Sequence, residues 1–293
     1  MIHILGTIFA GLLGLAFGSF LNVCLSRWPQ GESVVKPRSH CRHCAHTLAW
    51  WENLPLLSWL ALRGRCRSCR AWIGWRYSLV ELAVGVLWAT VFNRDFGSNI
   101  LNTTPIGAAL GLAFILSQML LCWLLVALAV LDAEYLWLPD WLTWPGIVLG
   151  FLFNLLDWGL WGFNSPVYPV KTLMLTIGLR LLSIIAAAGL ILLIRWVYWL
   201  IRRREGIGLG DAKLMALLAA WLGLPGALLA FALGVVLGAL VALLLLAIPS
   251  ARKPSERWAA GKLPLGTFLC MGGIVSSLWG QPIIAAYLRW ADL

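Results

Sequence analysis

Charge is what this chain has least of. Only 12% of its 293 residues are Asp, Glu, Lys or Arg, the acids number 12, and histidine occurs four times. A soluble globule cannot dissolve with so little charged surface, and the mean hydropathy of +0.86 with 61% hydrophobic residues places the chain among membrane proteins. A dinucleotide fingerprint is also missing: Gly206-Ile207-Gly208-Leu209-Gly210-Asp211 follows no strand pattern and fails the G-x-G-x-x-G spacing. The first apolar run has no Lys or Arg before it and no small-residue cleavage pattern after it, so it reads as a retained helix and not a signal peptide.

What is present is a series of apolar runs long enough to cross a bilayer, at about residues 4–25, 77–92, 106–131, 141–163, 172–201, 227–249 and 263–290. A shorter run at about 212–222 covers only about 17 Å at 1.5 Å per residue. The expected architecture is an all-α polytopic membrane protein of about eight transmembrane helices. Its organisation is a first helix (1–26), a small cytoplasmic loop domain (27–76), and a transmembrane domain (77–293). Of 22 Lys and Arg, 17 lie in loops 27–76, 202–213 and 250–262, against Arg94, Lys171 and Arg289 in the opposite loops and tail. Lys and Arg collect on the cytoplasmic side, so residues 212–249 must leave and return, with both termini outside. The net charge of +10 then reflects topology and contact with anionic membrane lipids, with no nucleic acid as partner. Trp137, Trp141, Trp144, Trp158 and Trp161, near span ends, read as interfacial anchors.

The 27–76 segment holds Cys41-Arg42-His43-Cys44 and Cys66-Arg67-Ser68-Cys69. Two C-x2-C pairs supply two knuckles for tetrahedral zinc, and a loop too small for a good core gains folding energy from the metal. A structural Zn2+ on Cys41, Cys44, Cys66 and Cys69 is expected, although His40, His43 or His46 could replace one ligand. Four thiolates leave no open position for a catalytic water. Cys24, Cys122 and Cys270 lie in apolar runs and read as small buried side chains.

Scarcity of acids makes two of them conspicuous. Asp132 and Asp211 each stand alone at the edge of a long apolar run, where a carboxylate costs roughly 2.5 to 3.5 kcal/mol on insertion scales and marks a functional site by default. Each also has a plain structural reading, Asp132 as a solvated loop acid and Asp211 as a helix N-cap. Asp140, after Pro139, reads as the cap of the next helix, and Gly208 and Gly210 as supports that let another chain approach closely. Glu81, at the start of the second span, suits contact with a basic partner or with an Arg of the loop, and Asp157 with Arg180 suits an ion pair. If the two carboxylates meet, like-charge repulsion lets only one ionise, which makes a shared-proton acid/base pair. A proton-coupled transporter would instead require inverted repeats and acids near the midplane. A non-enzymatic zinc-loop scaffold would make Asp132→Asn and Asp211→Asn silent.

Several segments together resemble the bacterial type IV prepilin peptidases, also called type II secretion leader peptidases, over nearly the whole chain. They are Gly18-Ser19-Phe20-Leu21-Asn22-Val23 with Arg27 and Pro29, the cysteine pairs, Asn53-Leu54-Pro55-Leu56-Leu57-Ser58-Trp59-Leu60, Arg63-Gly64-Arg65-Cys66, Arg76-Tyr77-Ser78-Leu79-Val80-Glu81, Leu138-Pro139-Asp140 and the G-x-G-D of 208–211. Arg42 and Ser78 replace prolines common in that family. The resemblance implies an aspartic endopeptidase of the inner membrane with Asp132 and Asp211 as its catalytic pair. It implies prepilins and pseudopilins as substrates, cut on the cytoplasmic side after a basic leader. It also implies methylation of the new N-terminus with S-adenosylmethionine, whose binding residues no local fingerprint identifies; the 27–76 loop and the Gly18 to Arg27 region are where the resemblance points.

Reporter tags check this topology. Tags at Ser68, Glu205 and Ser255 should report cytoplasmic, and tags at Asn99, Ser165 and the C-terminus periplasmic. A periplasmic report from Glu205 would put Asp132 and Asp211 on opposite faces and end the acid-pair reading.

Overall fold

The computed structural model describes residues 2–99, 105–163, 170–204, 208–247 and 263–291, without the side chains of residues 2, 97–99, 105–106, 156–163 and 170–173. Gly206, the basic loop 250–262, and the side chains of Asp157, Trp158, Trp161 and Lys171 therefore lie outside the described residues. Among those described there are eight α-helices and no strand: α1 (Ile2–Arg27), α2 (Leu57–Ala61), α3 (Trp75–Asn99), α4 (Pro105–Tyr135), α5 (Asp140–Phe163), α6 (Val170–Arg202), α7 (Leu209–Ala247) and α8 (Leu265–Trp290). Six of them contain a stretch long and apolar enough to cross a membrane. The expected all-α polytopic architecture is the one observed. The chain forms two compact units, Met1–Ala127 and Leu128–Leu293.

In the first unit α1 and α3 pack antiparallel along a seam of small residues. A Cβ on Gly14 would lie 2.8 Å from the Val84 carbonyl, and one on Gly18 would lie 2.7 Å from the Glu81 Cα, so these glycines let the backbones touch. Close backbone approach replaces the hydrophobic drive that is weak between helices in lipid. The middle of α4 closes the bundle through the Trp88 indole, which donates to the Met119 carbonyl (3.0 Å).

Between α1 and α3 the cysteine segment folds as two matching knuckles. Cys41 N–H donates to His46 O and Ala45 N–H to Cys41 O; 25 residues on, Cys66 N–H donates to Ala71 O and Arg70 N–H to Cys66 O, all at 2.9 Å. Ala45 and Arg70 both take left-handed φ, 55° and 57°, which turns each chain sharply after its second cysteine. α2 lies between the knuckles, a short helix the hydropathy pattern does not announce.

In the second unit the notable element is α7. A straight helix of 39 residues would span about 58 Å, about twice a bilayer core, but Gly223 interrupts it with φ 71° and ψ 177°. Pro225, two residues on, has no amide to rejoin the ladder. Residues 209–222 run beside α5, with the Trp221 indole donating to Gly146 O (2.9 Å) and the Asn154 amide to Ala220 O (2.9 Å). Residues 226–238 then run back along α8: Gly226 O accepts from Ser276 Oγ (2.8 Å), Gly234 lies against Phe268 and Leu269, and Gly238 against Phe268. The leave-and-return path that the charge pattern demands is thus a helical hairpin folded at Gly223. Arg180 of α6 fills the bend, its Nη1 standing 2.8 Å from where a Gly223 side chain would begin.

Candidate active site

Asp132 sits in the last turn of α4, where the preceding residues are fully buried apolar side chains, Leu121, Leu125, Leu128 and Leu131. The helix ends three residues later because Leu136 turns left-handed (φ 51°) and its N–H closes on the Asp132 carbonyl (2.9 Å). Asp132 is itself 6% exposed. Its Oδ2 accepts from the Thr267 N–H (2.7 Å) and the Thr267 hydroxyl (3.2 Å), while that hydroxyl also reaches Ala129 O (3.0 Å). Thr267 is the third residue of α8, so its amide is one of the four at a helix N-terminus without an intrahelical partner. The positive end of that helix thus faces the carboxylate.

Asp211 is the third residue of α7 and 8% exposed. The helix begins two residues ahead of it, so Asp211 is not the N-cap. Its Oδ2 instead reaches back to the Gly208 N–H (3.2 Å), the reciprocal half of a capping box. Gly208 and Gly210 both avoid left-handed φ. Gly210 matters for the side chain it lacks, since a Cβ there would stand 3.1 Å from Leu138 Cδ1. Leu138 meets Gly266 in the same way at 3.1 Å, and a Cβ on Gly266 would also fall 2.9 Å from the Asp132 carboxyl carbon. Leu138 is therefore wedged between the segments that carry the two acids.

Leu138 thus draws the segments of Asp132 and Asp211 toward one another, near enough for the charge of Asp132 to act on Asp211, and the fully buried Cys270, one turn along α8 from Thr267, feels both. Asp140 is the first residue of α5, and its carboxylate pairs with Lys213 on α7. Glu81 belongs to the first unit, where Oε2 accepts from the Leu56 N–H (2.9 Å), so its partner is loop backbone and not a loop Arg. Taken singly, Thr267, Gly266 and Lys213 carry no signal of their site role in the sequence, and Leu138 carries one only as part of Leu138-Pro139-Asp140. The junction Pro264-Leu265-Gly266-Thr267 was the available signal, a helix start with its amides free.

The second cluster is the cysteine site. The Sγ atoms of Cys41, Cys44, Cys66 and Cys69 all lie within 4.8 Å of one another, with Cys41–Cys69 at 3.8 Å and Cys44–Cys66 at 3.9 Å. Four ligands about 2.3 Å from a tetrahedral centre would stand roughly 3.8 Å apart, so the group could hold a metal ion. No histidine joins it among the described residues: His40 Nδ1 contacts Arg38 O and His46 Nε2 lies 3.4 Å from Glu52. The Cys69 N–H holds the Cys66 thiol down to about 6. At Cys69 the Ala71 N–H favours the thiolate, but desolvation and the sulfurs of Cys44, Cys66 and Cys41 outweigh it and push the thiol up to about 11. Four negative sulfurs cannot share this space without a cation among them. Cys24, Cys122 and Cys270 are buried, as expected of small apolar side chains.

Residues 12–94 match the Bacterial Peptidase A24 N-terminal domain, and residues 119–243 match the Type IV leader peptidase family. The chain belongs to the type IV leader peptidase family. It is 32% identical over 318 residues to a protein of Stutzerimonas stutzeri called prepilin leader peptidase/N-methyltransferase, covering 96% of this chain and 93% of that one. Proteins with the same name are 38% identical in Burkholderia pseudomallei strain 1026b (94% and 85% covered) and 33% identical in Pseudomonas aeruginosa (96% and 92% covered). No solved structure matches the chain.

The environment of Glu52 predicts that the loop loses stability in acid. The Ala49 N–H (2.8 Å to Oε2) and, after it, His46 and Arg67 hold this carboxyl below its usual range against the cost of burial. A group depressed in the folded state contributes stability above its unfolded pKa and loses it as pH falls through the folded value. Protease cleavage within residues 40–72 should therefore be slow above about pH 5 and accelerate below pH 4. Glu52→Ala should show the faster rate at neutral pH.

Proposed function

We propose that this chain is a membrane aspartic endopeptidase that removes the leader of prepilins and pseudopilins, and that it also methylates the new N-terminus with S-adenosylmethionine. The observation that carries the first activity is the pairing of two buried carboxylates, from α4 and α7, inside the segment that matches the leader peptidases. The names of the relatives support the second.

Asp132 and Asp211 are the catalytic pair in this reading, carrying one proton between them. Asp132 is the better-supported carboxylate, with two donors on one oxygen against one for Asp211. It draws a proton from the attacking water, while Asp211 donates a hydrogen bond to the scissile carbonyl and later protonates the leaving amine. Thr267, Gly266, Gly210 and Leu138 position the pair, and Gly208 and the Asp140–Lys213 ion pair fix the start of α7. The cysteine cluster holds a structural Zn2+ in the same reading, since four thiolates and no open position suit folding and not catalysis. The excess of Lys and Arg in the loops supports an inner-membrane protein with this site on the cytoplasmic face, where a leader still attached to an unassembled pilin can enter.

Co-expression with a prepilin carrying an intact leader tests the peptidase. Asp132→Asn and Asp211→Asn should each reduce cleavage at least about 1,000-fold, since general acid–base work alone contributes 100- to 10,000-fold, with membrane insertion unchanged. Thr267→Val should slow cleavage about tenfold, the rate equivalent of one modest hydrogen bond, and Thr267→Ser should restore it. Cleavage at the normal rate by Asp132→Asn would sink the assignment.

Elemental analysis tests the metal. One zinc per chain is expected in reduced protein, lost when any of Cys41, Cys44, Cys66 or Cys69 becomes Ser, with the loop then open to protease. Cleavage should fall less than in the Asp variants.

A further inference from the structure

The second half of the cysteine loop does not have the surface of a domain that stands in water. From Asn53 to Ser78 it carries five arginines and no acid, and several of its large apolar side chains are open to the outside. Single exposed apolar residues are ordinary, but a contiguous set marks a surface that something covers.

α2 shows how the set arises. Trp59 is turned into the loop, its indole N–H donating to the Ile73 carbonyl (3.1 Å) and its ring centre lying 5.9 Å from that of Trp72 and 4.6 Å from that of Trp75. Leu57 and Leu60, three residues apart, share another side of the same short helix. They remain 65% and 63% exposed.

Two observations say what lies against that side. The first is depth. Trp75 is the first residue of α3, and the apolar stretch long enough to cross the membrane begins with it. Its exposed ring heads a stripe that continues through Leu79 and Leu82, also exposed, at the spacing of one helix face. Trp72, 51% exposed, closes the triangle at 5.7 Å from Trp75. α2 is therefore in ring-to-ring contact with the residue at which a span begins, the level where tryptophans gather in a bilayer.

The second is charge. Arg63 and Arg65 follow α2 directly and both are exposed, with no acid in the segment around them. Exposed apolar side chains flanked by arginine are the pattern of a segment lying in the plane of the interface, with acyl chains under the apolar side and anionic phosphates beside the guanidinium groups.

We propose that α2 and the Trp72–Trp75 edge of the cysteine loop lie in the membrane interface at which α3 begins, with Leu57 and Leu60 among the acyl chains and Arg63 and Arg65 at the phosphates of anionic phospholipids. The loop then rests on the bilayer and does not stand clear of it. The inference depends on neither the peptidase nor the methyl-transfer reading.

The test uses the full chain in vesicles of phosphatidylethanolamine and phosphatidylglycerol, with the photoreactive residue p-benzoylphenylalanine at one position at a time. At Leu57 and Leu60, illumination should attach phospholipid to the chain in a yield within about threefold of that at Leu79, on the lipid face of α3. The yield should be at least about tenfold lower at Ser68, at the tip of the second knuckle, whose base is the Arg65–Trp72 bridge. Arg63→Glu with Arg65→Glu should lower the yield at Leu60 at least about fivefold in these vesicles and less than about twofold in phosphatidylcholine alone. Misfolding cannot produce a dependence on lipid charge. Yields at Leu57 and Leu60 no higher than at Ser68, adducts there to residues 105–293 or to a second copy in place of lipid, or an effect of charge reversal that is the same in both kinds of vesicle would each overturn the proposal.

Discussion

A carboxylate inside a membrane protein must be given hydrogen-bond donors before it can be given a task. Asp132 obtains them from the first turn of α8, whose unpaired amides exist because every helix begins with them. Much of the second unit follows from delivering that turn to that residue. α8 must start level with the end of α4, Gly266 must have no side chain, and the returning half of α7 must lie close enough to hold α8 in place. The contacts between Gly272 and Ala230 and between Gly234 and Leu269 are where the two backbones come together. An electrostatic requirement at one atom is met by packing spread over a long helix.

The first unit applies the same economy to a different problem. A loop of about 50 residues has too little apolar surface to fold by burial alone. Its order comes from sulfur geometry, from two knuckles of the same hydrogen-bond pattern, and from anchors to the helices it joins. Glu81 is one such anchor: it rises from α3 to hold the amide of Leu56, a residue with left-handed φ (59°). Arg42 is another, donating to the Ser26 carbonyl at the end of α1 (2.8 Å).

How much of this the sequence disclosed depends on how local the physics is. The spans were legible because hydropathy is additive along a run, and the cysteine cluster because two ligand pairs of fixed spacing have few other uses. The hairpin in α7 was legible as a requirement of charge parity, but its bend at Gly223 was not, since a glycine within an apolar helix does not announce its φ. Asp132 and Asp211 could be singled out because acids are scarce, whereas Thr267 could not. Its relation to Asp132 spans 135 residues and uses a backbone amide, a group every residue has. The contact of Trp59 with Trp75 was hidden for the same reason, being made by segments that meet only in the fold.

The matched knuckles have a consequence for how the chain enters the membrane. Each contributes two sulfurs, and neither can complete a four-sulfur site alone. Cys44 and Cys66 come within 3.9 Å only when the chain on either side of both has stayed on one face of the bilayer, because α1 leads into the first knuckle and α3 leads out of the second. A chain in which only one of α1 and α3 inserted the wrong way round could not close the loop. The folded loop is therefore a latch that shuts only when α1 and α3 present their loop ends to the same face.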